Sequence, residues 1–129
     1  MQAADRPRGL RVLVIDDEAM VRDSMRLLLL GLHCEVHLAD GVAEARAVAA
    51  EHMLDLVLSD LRLRGGESGL AAISAVRVHQ PRLAAVLITG DTAPNRIREA
   101  EAAGVPLLFK PVTLDDLVDV MQKSRREGP

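Results

Sequence analysis

The sequence predicts an α/β fold in which a parallel sheet carries helices on both faces. Three observations lead there. Five short apolar runs alternate with five stretches of helical periodicity, and such strict alternation implies parallel strands joined by right-handed crossovers. The runs "VLVI", "LVLS" and "AVLIT" lack polar alternation, as strands covered on both faces do. The chain has 129 residues and is 49% hydrophobic, which suits one domain burying about two-thirds of its unfolded surface.

The first strand is expected at residues 11–15. A helix at 20–30 follows, with Met20, Val21, Ser24, Leu27 and Leu28 at spacings of three and four before Gly31, a helix-stopping residue. The leucine run 27–30 reads as core packing. The second strand, "CEVHL" at 34–38, does alternate, so it belongs at a half-exposed edge. Residues 42–51 are alanine-rich, and alanine is the strongest helix former. A third strand is expected at 54–59, then a helix at 70–78 with Leu70, Ile73 and Val76 on one side and Pro81 past its end. After a fourth strand at 84–89, Pro94 suits the first turn of a helix that ends before Gly104. The fifth strand, 107–110, leads to Thr113, an N-cap with Asp116 three residues on, and to the helical run "LDDLVDVM". Residues 1–9 and 124–129 read as tails around a domain of 10–123.

Composition narrows the function. Sixteen basic against 19 acidic residues give a net charge of −3, so no whole-domain basic field invites nucleic acid. No run approaches the roughly 20 apolar residues of a membrane span, and "MQAADRPRG" lacks the apolar core of a signal peptide. Cys34 is the one cysteine, so there is no intrachain disulfide. These features suit a soluble cytoplasmic chain with neither nucleic-acid nor membrane contact. His33 and His37 flank Cys34, but a same-face pair four apart on a strand is separated by about 13 Å, too far to share zinc.

In a doubly wound sheet, function collects beyond the carboxyl ends of the strands. Asp16 and Asp17 stand there after the first strand, Asp40 after the second, Ser59 and Asp60 after the third, Thr89, Gly90 and Asp91 after the fourth, and Lys110 after the fifth. An acidic doublet alone is an ordinary helix start. Three carboxylates, a hydroxyl and an ammonium at four strand ends are a stronger signal. Carboxylates that close raise one another's pKa unless a cation compensates, and oxygen-only ligands suit Mg²⁺.

The set "VIDDE", "VLSDLRL", "LITGD" and "FKPV" resembles the receiver domain of two-component response regulators, over residues 10 to about 123. The resemblance implies a flavodoxin-like (βα)5 three-layer sandwich with strand order 2-1-3-4-5. It implies that Asp60 accepts a phosphoryl group from a phosphohistidine on a histidine kinase or a histidine phosphotransfer protein. Asp17, Asp60 and the backbone carbonyl of Arg62 would bind Mg²⁺, with Asp16 helping through water. Lys110 would pair with the phosphoryl oxygens, Thr89 would hydrogen-bond the added group, and Gly90 would leave room for it. A cis Lys110–Pro111 bond is also implied. Arg62 and Asp91, each two residues past a site residue, would overhang the phosphoryl group, Arg62 shielding it from water.

Departures matter too. The family's aromatic three residues before the lysine is replaced by Leu107, and its proline four residues after the phosphoacceptor by Arg64. Phe109 is not read as a substitute aromatic, on the argument that adjacent strand residues face opposite ways. A haloacid dehalogenase-like phosphatase uses similar residues, but it wants a second aspartate two positions after its nucleophile, where Glu18 stands. The stretch "LITGDTAPNRIREAEAAGVPLLFKPV" resembles receivers at the C-terminus of hybrid sensor histidine kinases, which implies an in-chain kinase module. A stand-alone single-domain regulator is the alternative.

Overall fold

The structure is a computed structural model that describes residues 9–90 and 93–127. Five strands, β1 (Arg11–Ile15), β2 (Glu35–Ala39), β3 (Leu56–Asp60), β4 (Ala84–Thr89) and β5 (Leu107–Phe109), form one parallel sheet. Its order is β2-β1-β3-β4-β5, the order that the resemblance implies. Between and after the strands run α1 (Ala19–Gly31), α2 (Val42–Glu51), α3 (Gly69–His79), α4 (Pro94–Ala103) and α5 (Leu114–Glu127).

Strand alternation builds two cores from one sheet. Leu13 and Ile15 of β1 join Ala45, Ala72, Ile73, Val76 and Ala100 of α2, α3 and α4 on one face. Val12 and Val14 join Met25, Leu29, Leu117 and Met121 of α1 and α5 on the other. Val12, Leu13, Leu56, Val57 and Leu58 are fully buried, so the unbroken apolar runs have the physical cause inferred for them. The β2 edge is only partly buried, as its alternation requires.

Polar side chains lock the end of the sheet remote from the carboxyl ends of the strands. Arg11 donates through Nε and Nη2 to the two carboxylate oxygens of Asp55 at 3.0 and 3.2 Å, and this pairing raises the Arg11 pKa. Gln80 receives the Leu54 N–H at 2.9 Å and donates to the carbonyls of Ala49 and His52 at 2.9 and 2.7 Å, tying α2 to the end of α3. The Thr113–Asp116 capping box forms with reciprocal bonds of 3.0 and 3.1 Å. Gly104 closes α4 at φ 70°, in the left-handed region, and its N–H bonds to the Glu101 carbonyl.

Several element ends differ from expectation. β3 begins at Leu56 rather than at 54; the Leu54 N–H is bonded to Gln80, and the Asp55 carboxylate accepts the Arg11 N–H at 2.8 Å. β5 stops at Phe109, and the Lys110–Pro111 bond after it is cis, as expected. The tail read at 124–129 is not one at its start. α5 runs to Glu127, and buried Ser124 donates its hydroxyl to the Asp55 carbonyl at 3.2 Å. Of the tail at 1–9, residues 1–8 lie outside the described residues, while the Gly9 N–H is bonded to the His33 carbonyl. Among the described residues no helix is long and apolar enough to cross a membrane.

Candidate functional site

The carboxyl ends of β1, β3, β4 and β5 meet where the strand order reverses, with β1 paired to β2 on one side and β3 on the other. β1 delivers Asp16 and Asp17, and β3 ends on Asp60. One carboxylate oxygen from each lies within 4.8 Å of the others. Lys110 reaches in from the end of β5, with Nζ 3.4 Å from Asp60 Oδ2 and 3.8 Å from Asp16 Oδ2. Its own N–H bonds to the Thr89 carbonyl at 2.8 Å, so the cation and the hydroxyl are carried by one β4–β5 rung.

Burial grades the three acids. Side-chain exposure is 5% for Asp16, 13% for Asp60 and 22% for Asp17. Desolvation raises the Asp16 pKa above the ordinary 3.8, against the Glu18 N–H and Lys110, and the charges of Asp17 and Glu18 add to the rise. Desolvation is also the main cause of the raised Asp60 pKa, with Lys110 opposing and Asp16 and Asp17 contributing. One lysine therefore does not offset the cluster. Oxygen-only donors, packed closely and short of positive charge, fit a hard divalent cation.

Local structure explains the placement. The Asp16 carboxylate accepts from the Glu18 N–H at 2.9 Å, which turns the chain into α1. Ser59 is fully buried and donates its hydroxyl to the Asp60 carbonyl at 3.0 Å. Thr89 is buried, 3% exposed, at the end of β4. A Cβ built on Gly90 would stand 4.0 Å from Lys110 Cδ, an ordinary van der Waals contact. An apolar crevice of about 380 Å³, walled in part by Met20, Met25, Pro111 and Val112, ends at Asp16, Asp60 and Lys110.

Arg62, whose backbone carbonyl is the expected third ligand, lies two residues past Asp60; its side chain is exposed and its backbone forms an isolated antiparallel bridge with Ser68. Asp91 lies outside the described residues. Asp40 is exposed beyond β2, and its backbone N–H donates to Glu44 Oε1 at 2.9 Å. Leu107 and Phe109 are two apart on β5 and share a face, with Leu108 on the other, so Phe109 does not face away from the Leu107 position as expected. Phe109 is instead 43% exposed at the strand end, while Leu107 packs on the core.

Three residues of the site escaped sequence reasoning. Arg22 of α1 donates to the Asp16 carbonyl at 2.6 Å. Arg64 places Nε 3.8 Å from Asp17 Oδ2. Gly69 lies so close under the site that an added Cβ would collide with the Asp60 carbonyl oxygen. The substitution of Arg64 for a proline was visible as a departure; nothing in the sequence tied Arg22 or Gly69 to the acids.

Residues 12–122 match the response regulator receiver domain model. The chain belongs to that family. This receiver domain is 31% identical over 118 residues to the alginate biosynthesis transcriptional regulatory protein AlgB of Pseudomonas syringae pv. tomato, covering 91% of the chain and 26% of that regulator. It thus spans about a quarter of that relative. It is 33% identical over 126 residues to hybrid signal transduction histidine kinase G of Dictyostelium discoideum, covering 93% of the chain and 4% of the kinase. The receiver domain also matches the crystal structure of a response regulator protein from Burkholderia pseudomallei with a phosphorylated aspartic acid, calcium ion and citrate. There the TM-score is 0.79 at 25% identity, over 92% of this chain and 70% of that one. The family works in two-component signalling, taking its input from histidine kinases or phosphotransfer proteins.

Proposed function

We propose that this receiver domain takes a phosphoryl group from a partner's phosphohistidine onto Asp60, and passes the signal on through a change of surface. The observation that carries the reading is the approach of Lys110 Nζ to Asp60 Oδ2, 3.4 Å, inside a cluster of three carboxylates at the strand ends. The Burkholderia pseudomallei relative, with its phosphorylated aspartic acid, supports it.

Asp60 is the nucleophile. Its Oδ–P bond forms as the P–N bond of the phosphohistidine breaks, and the electron pair returns to the imidazole nitrogen. A carboxylate attacks a charged phosphoryl group poorly, so alignment and charge neutralisation carry the rate. The 3.4 Å contact holds Asp60 toward Lys110, whose ammonium then pairs with the phosphoryl oxygens. The apolar crevice ending at Asp60 gives a partner's imidazole a water-poor approach. Thr89 donates its hydroxyl to the phosphoryl group once it is attached, which adds about −1.5 to −2 charges for Thr89 and Lys110 to hold. That pull on β4 and β5 is the source of the surface change. Mg²⁺, held by Asp17, Asp60 and the Arg62 carbonyl with Asp16 acting through water, would supply further positive charge to the transferring oxygens. Arg62, exposed beside the site, is placed in this reading to shield the phosphoryl group.

The domain acts in this reading within a hybrid sensor histidine kinase, in the cytoplasm, without nucleic acid or membrane as partners. The match to kinase G supports that context, and the gene sequence flanking the chain tests it. The phosphoacceptor assignment is tested by intact mass after incubation with acetyl phosphate and Mg²⁺. The parent should gain one phosphoryl group and Asp60→Asn none. Equal uptake by Asp60→Asn would falsify the assignment.

A further inference from the structure

The loop between β3 and α3 carries a second cation toward the acidic cluster. Its base is fixed by the Arg62–Ser68 bridge and by the Leu63 N–H, which donates to the Glu67 carbonyl at 2.9 Å. Glu67 Oε1 accepts from the Val42 N–H at 3.1 Å, pinning the loop to the start of α2. Between these anchors Gly65 and Gly66 have φ values of 73° and 80°, a left-handed pair that favours glycine. The turn brings Arg64 Nε to 3.8 Å from Asp17 Oδ2. Arg64 is 80% exposed, whereas Asp17 is the most accessible of the three acids at only 22%.

We propose that Arg64 competes with the divalent ion for Asp17 and so sets the metal affinity of the site, an inference that rests on the metal reading above. Two effects act in the same direction. The guanidinium neutralises a carboxylate that the ion needs, and its charge repels a second cation brought to the same oxygen. Lys110 does not stand in this relation to Asp17, because its Nζ approaches Asp16 and Asp60 instead. Coupling of this kind is reciprocal: an ion that takes Asp17 releases Arg64 from it. The Glu67 anchor keeps the loop in place when that happens, so the release is local to the Arg64 side chain.

Calorimetric titration of the chain with MgCl₂ at low ionic strength tests this in the parent, Arg64→Ala, Arg64→Gln and Arg64→Lys. An exposed ion pair of this type is worth a small factor, so Kd should fall by about two- to fivefold in the Ala and Gln variants. Arg64→Lys should restore the parent value, and added salt should shrink the differences. A purely structural role for Arg64 would not give rescue by charge together with that salt dependence. Parent-like or weaker binding by both neutral variants overturns the competition while leaving the metal site standing. Lack of saturable binding by the parent overturns the metal reading and the inference together.

Discussion

Asp16 and Asp60 carry their charges in a setting where burial opposes ionisation more than any neighbour does. Because both pKa values are raised in the folded chain, the folded state binds protons more tightly than the unfolded one. The contribution of these two acids to stability is therefore fully present below the ordinary 3.8 and is lost as pH rises through their folded pKa values. This is the reverse of an acid-labile, salt-bridged carboxylate. Asp60→Asn should stabilise the metal-free chain at pH 7 by on the order of 1 kcal/mol, a few degrees in Tm. Its advantage over the parent should grow as pH rises through those values. Melts in which parent and variant keep a constant difference would contradict this. At the same scale, the acids and Lys110 were legible because their spacing from strand ends fixes where they fall. Arg22 and Arg64 were not, because a long side chain's direction depends on contacts that no local pattern encodes.

Among the elements, the β3–α3 connection shows how closely backbone packing supports the site. Gly69 opens α3 with its N–H bonded to the Leu61 carbonyl at 2.8 Å. A Cβ there would also approach Leu87 Cδ2 to 2.7 Å and the Ser59 hydroxyl oxygen to 3.0 Å. Gly69→Ala should destabilise the chain by about 1–3 kcal/mol, the usual range for overpacking, and displace Asp60. Urea melts read the first effect, and a stability within 0.5 kcal/mol or so of the parent would count against it. Helices also mark where pattern reading slipped. α1 buries Met25 and Leu29, whereas Met20 and Leu27 are 82% and 67% exposed. A run of four leucines fits more than one stripe, and only the docking of the helix chooses among them. The central strands left less freedom, since burial on both faces makes nearly all of their positions apolar.

For the whole molecule, the same charge imbalance that prepares the site weakens the fold without a cation. An ion that binds only the folded state raises stability by mass action, about 2.7 kcal/mol at a hundredfold excess over Kd. Millimolar Mg²⁺ should therefore raise the Tm of the parent, and raise it less in Asp17→Asn. Identical melts with and without Mg²⁺ would speak against a metal site. The sheet order and layers were accessible in advance because strict β-α alternation and a recognisable family pattern agree on them. The end of the domain was not, since the buried hydroxyl of Ser124 on a polar segment, bonded to a carbonyl 69 positions earlier, leaves no sequence pattern.

We propose that Asp60, rather than Asp16 or Asp17, takes the phosphoryl group. Borohydride reduction of the phosphorylated chain converts an aspartyl phosphate to homoserine, and peptide sequencing then locates it. Homoserine at position 60 alone is the expected result. Homoserine at position 16 or 17, with position 60 unchanged, would contradict it.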